Sequence, residues 1–87
     1  MSSRTIRNEE VQKIIVTIPE NHHHIRTAIL LNDGTELVFQ EATIANLLRA
    51  YTTVKTHPSI TKVVLVGQRV LMRKEGYAEW QLLEETQ

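Results

Sequence analysis

An α+β fold, an antiparallel-rich sheet of about five strands with one helix packed on one face, is what this sequence predicts from three observations. Thr43 to Lys55 is the segment that carries a clear helical period of apolar residues. The segments on either side are rich in β-branched residues and alternate in character. An Asn32-Asp33-Gly34 turn joins two of them as a hairpin, giving the order βββαββ.

Structure is expected to begin at Val11, so residues 1–10 are read as a flexible N-terminal tail and residues 11–87 as a single α+β domain. The first strand, Val11 to Ile18, sends Ile14, Val16 and Ile18 to one face and Lys13, Ile15 and Thr17 to the other. Pro19, with no N–H to give a ladder, ends it. The second strand runs from His24 to Leu31 and the third from Thr35 to Gln40. A two-residue loop at Asp33-Gly34 would put Leu30, Leu37, Ala28 and Phe39 on one face, whereas a three-residue loop with Gly34 in the left-handed conformation is preferred. It aligns Ile25, Thr27, Ile29 and Leu31 with Leu37 and Phe39 and sends Arg26, Glu36 and Gln40 together to the opposite face.

In the helix, Ile44, Leu47, Leu48, Tyr51 and Val54 form one apolar stripe, the part a sheet would bury, with Thr43 as the expected N-cap. His57-Pro58 closes it, because the residue before proline is pushed out of the α region. Residues 61–74 read as one long strand in which Gly67 marks a bulge or bend. Lys74-Glu75-Gly76 turns the chain into a last strand with Ala78, Trp80 and Leu82 on one side and Leu83 on the other.

Composition narrows the functional classes. A chain of 87 residues buries about 60 to 65% of the surface it exposes unfolded, so core area is scarce. Its 41% apolar and 23% charged content belong to a folded chain. Ten basic residues balance ten acidic ones, so no global field draws in nucleic acid or an anionic membrane, and low net charge favours self-association. Without cysteine there is no disulfide, zinc-thiolate site or thiol nucleophile. The first residues lack the apolar run of a signal peptide or anchor, and no window approaches the ~18 apolar residues of a spanning helix, so a cytoplasmic location without membrane attachment is expected.

Three constellations stand out. His22 and His24 project to one side of an extended segment at a spacing metals use, with Glu20 or His57 as a further ligand, but no third ligand lies at a diagnostic spacing. No metal or other cofactor is expected. Lys62, Arg69, Arg73 and Lys74 give the fourth strand a basic character beside Tyr77 and Trp80, the pattern of a single-stranded nucleic-acid surface. The neighbouring Glu75, Glu79, Glu84 and Glu85 favour cross-strand ion pairs instead, and nucleic acid is not the expected partner. Ser59 lies near His57 in sequence, yet no third group or oxyanion site completes a nucleophile, so an enzyme is not expected.

Ile15, Ala28, Leu30, Val38 and Leu83, all on the side assigned away from the helix, form the third constellation. Contiguous apolar patches beyond a few hundred Å² are uncommon on soluble monomers. The expected function is a small non-catalytic protein-interaction or regulatory module acting as a homodimer through this face or an edge strand. The alternatives are single-stranded nucleic-acid binding through the basic fourth strand and a metal- or histidine-dependent small enzyme.

Overall fold

The computed structural model describes residues 2–85. The elements follow the expected order: β1 (Val11–Thr17), β2 (Arg26–Leu31), β3 (Glu36–Gln40), α1 (Glu41–Thr56), β4 (Leu65–Arg69) and β5 (Trp80–Glu84). The class is α+β, and each strand pairing is antiparallel. The five strands form two sheets rather than one, β1-β2-β3 and β4-β5. A single sheet would have required a long-range crossover pairing; here neighbours in sequence pair instead, which closes shorter loops. The chain divides between Ile44 and Ala45 into two compact units.

In the first unit, β2 is the centre of the meander. Leu31 N–H donates to the Thr35 carbonyl at 2.8 Å, and the three residues between them form the loop, with Gly34 at φ +90°. Only glycine adopts that conformation without strain. The Asp33 carboxylate accepts the Thr35 N–H at 2.9 Å, so the turn carries its own side-chain bond. The resulting register sets Thr27 against Phe39 and Ile29 against Leu37, as the preferred hairpin requires.

Residues read as a tail take part in this unit. Asn8–Glu10 form a 3-10 turn, and the Asn32 side-chain amide donates to the Glu9 carbonyl at 2.7 Å while its N–H donates to the Glu10 carbonyl at 2.9 Å. Arg4 lies 3.4 Å from Asp33 and 3.8 Å from Glu10. Between Val11 and Lys13 the ladder slips by one residue, leaving Gln12 as a bulge.

Leu31, 2% exposed, and Thr27, 6% exposed, are the buried side chains among the described residues. Both lie on the face that Ile14 and Val16 share, although those two remain exposed.

The helix α1, within which the division at Ile44/Ala45 falls, is longer than its apolar period. It starts at Glu41, directly after the last residue of β3, so Thr43 lies inside the first turn rather than capping it. The hydroxyls of Thr52, Thr53 and Thr56 donate to carbonyls four residues back at 2.7–3.0 Å, and His57 N–H donates to Thr53 before Pro58 ends the helix. The stripe is not buried: Leu47 is 56% and Leu48 57% exposed, and none of the described residues of α1 is buried. Asn46, Ala50 and Thr53, residues at or beside the polar side of the helix, share a cleft with Val63, Leu65 and Leu82 instead. The expectation that one helix covers a sheet face with this stripe is therefore corrected.

The long β run is shorter than its composition implies. β4 holds five residues because β5 offers five partners, and Gly67 sits opposite Leu82 in regular register with no bulge. One further bond at each end, Val70 N–H to Glu79 and Glu85 N–H to Val64, closes the ladder. Gly76, at φ +90°, makes the expected turn, with Tyr77 N–H donating to the Lys74 carbonyl at 3.1 Å.

Candidate interaction surface

Directly opposed residues of an antiparallel sheet share a face, so the registers of β1-β2-β3 arrange one surface in three rows. Lys13, Leu30 and Glu36 form the first row, Ile15, Ala28 and Val38 the second, and Thr17, Arg26 and Gln40 the third. The middle row is apolar across all three strands. Ile15 is 44% and Val38 57% exposed, with the small Ala28 between them. Four of the five candidate contact residues thus come together on one face, Leu30 lying one step along β2 from Ala28. Leu83 belongs to the other sheet, where it stands opposite Val66.

The first row carries a feature that apolar pattern reading passes over. Lys13 and Glu36 stand on opposite flanks of Leu30, both exposed, and neither forms an ion pair or side-chain hydrogen bond among the described residues. The surface is an apolar strip bounded at one end by a positive and a negative charge that have no ion-pair partner among the described residues. The preferred hairpin register, taken with the phase of β1, held the signal for this pair.

The other candidates are placed differently. His24 Nδ1 lies 3.1 Å from Glu41 Oε2, which ties the β1–β2 connection to the start of α1. His22 donates its N–H to the Pro19 carbonyl in a turn where Asn21 takes φ 65°. His57 Nδ1 accepts the Ser59 N–H at 3.2 Å. No group of three His, Asp or Glu side chains placed to hold a metal occurs among the described residues.

Arg69 pairs with Glu79, and Arg73 donates to the carbonyls of Tyr77 at 3.0 Å and Val70 at 3.4 Å. These two cations are engaged in holding the β4–β5 connection. Lys74 lies in that connection's turn, whereas Lys62 precedes the far end of β4, so the four basic residues do not form one stripe. The Asp33 carboxyl is held below its ordinary pKa by the hydrogen bonds from Thr35, with Arg4 adding to the effect. No helix among the described residues is long and apolar enough to cross a membrane. Compared with protein-family models, with curated proteins and with solved structures, the chain matches none.

Proposed function

We propose that the chain is a non-catalytic interaction module that self-associates through the apolar face of its three-stranded sheet. The observation that carries this reading is the cross-strand row Ile15–Ala28–Val38, whose outer members Ile15 and Val38 are exposed and whose half-buried centre is flanked by Leu30. Water-facing apolar rows on neighbouring strands gain roughly 25 cal/mol for each Å² they lose to a partner. Zero formal net charge removes the long-range repulsion that keeps copies apart. Sedimentation equilibrium of the full chain from micromolar to millimolar concentration tests it. A concentration-dependent rise in mass that Leu30→Glu suppresses supports the reading; a monomer throughout overturns it.

A further inference from the structure

We infer that the partner is a second copy of this chain, bound face to face about a two-fold axis parallel to β2, with Lys13 of each copy set against Glu36 of the other. This rests on the self-association proposed above and adds its geometry.

A closed dimer uses the same patch twice, so the patch must answer itself under the two-fold operation. For two sheets packed face to face, the axis lies in the contact plane. An axis along β2 carries β1 of one copy over β3 of the other and keeps each row on itself. Lys13 then meets Glu36 of the other copy, Ile15 meets Val38, and the reciprocal contacts repeat both. Ala28 falls on the axis, where its short side chain admits the approach of about 10 Å between sheets. The other in-plane axis, across the strands, lays the first row over the third. It sets Lys13 against Thr17, Glu36 against Gln40 and Leu30 against Arg26, and answers neither charge. The Lys13 and Glu36 pair therefore selects this orientation along β2 over the one across the strands. The opposite face, with rows Ile14–Ile29–Leu37 and Val16–Thr27–Phe39, offers no charge to direct a partner.

Three strands at ~4.8 Å and five residues at ~3.3 Å give roughly 240 Å² in plan, which belongs to the weak class of interfaces. The chosen axis also brings the two Arg26 side chains together in the third row, a further reason for modest affinity. In so small a contact, charges at the margin decide orientation more than they add affinity.

Lys13→Glu and Glu36→Lys in the full chain provide the test. Each alone places like charges together at two symmetric points and should weaken self-association about tenfold or more. An equimolar mixture of the two single variants restores both opposite-charge contacts and should associate at least as well as wild type, as should the double variant with itself. Restoration on mixing also shows that the single variants are folded. Wild-type association that either single variant leaves unchanged, or single variants that fail to associate when mixed, would overturn this geometry while self-association stands. A monomeric wild type would overturn both.

Discussion

Thr27→Val should make the protein more stable. Thr27 is 6% exposed, and its Oγ1 has no hydrogen-bond partner among the described residues. Its row neighbours on β1 and β3 are Val16 and Phe39, which have no side-chain polar atom to offer. A buried hydroxyl left without a partner forfeits its hydration, at about 1–3 kcal/mol. Valine has the same branched shape, an equal or better fit to a strand and no polar atom. Removing the penalty without opening a cavity should gain roughly 1–2 kcal/mol, which for a domain of this size moves Tm by about 5 °C or more. Thr27→Ser is the control: it keeps the hydroxyl, deletes one methyl and should lose about 1 kcal/mol. Urea denaturation followed by far-UV circular dichroism reads both. A Thr27→Val midpoint equal to or below wild type would show that the hydroxyl is satisfied in solution and refute the reasoning.

Other expected outcomes follow from the burial pattern, the turns and the one shifted carboxyl. Leu31→Ala, at a side chain 2% exposed, should cost about 2–5 kcal/mol, while Leu47→Ala, 56% exposed, should cost under about 1 kcal/mol in the monomer; the same urea series compares them. Gly34→Ala meets no atom within 4 Å but forces alanine to φ +90°, so it should cost roughly 1–2 kcal/mol of backbone strain. Gly67→Ala needs no positive φ, and its nearest neighbour is Leu82 Cδ2 at 4.0 Å, so thermal melting should show it neutral or stabilising. The lowered Asp33 pKa gives a stabilising contribution that is full above the unfolded value of about 3.9 and is lost as pH falls through the lower folded value. Acid titration of Asp33→Asn against wild type should therefore show the two stability curves converging below about pH 4.

What was legible in the sequence and what was not divide along a physical line. The preferred one of two β2–β3 registers could be chosen because Asn32-Asp33-Gly34 acts locally: the glycine takes the positive φ, and Asp33 accepts the Thr35 N–H just ahead of β3. The division of β1 into two faces was equally readable, since alternation is a property of the strand itself. Strand neighbours are not local, and alternation carries no record of which strand lies alongside. One predicted sheet is therefore two, and Leu83 belongs to the sheet of β4 and β5 rather than to that of Ile15, Ala28 and Val38. The same limit trimmed the long run around Gly67, where β-branched composition extends past the point at which β5 supplies partners. Thr43 misled because a threonine before an apolar period looks like a cap; the helix instead begins without any loop after Gln40. The helical stripe was read correctly as a period and wrongly as a buried face, because period says which residues share a side, not what covers it.

The bulge at Gln12 leads to a further consequence. Val11 stands opposite Leu31, and Lys13 opposite Leu30, so Gln12 is the residue the ladder skips. Deleting it would let Val11 take the regular position opposite Leu31 and leave each later side chain on its present face. Gln12 is thus dispensable for side-chain placement, and its contribution is to the outer margin of the sheet. There, β1 presents a seven-residue run, VQKIIVT, with a single charge and one row of main-chain groups that no strand among the described residues pairs. Such a margin is a template on which other chains add without limit, and an irregularity in it interrupts that growth. The chain lacking Gln12 should fold yet form fibrils sooner than wild type on agitation, read as a shorter lag in thioflavin fluorescence. An unchanged lag would assign the bulge no protective part.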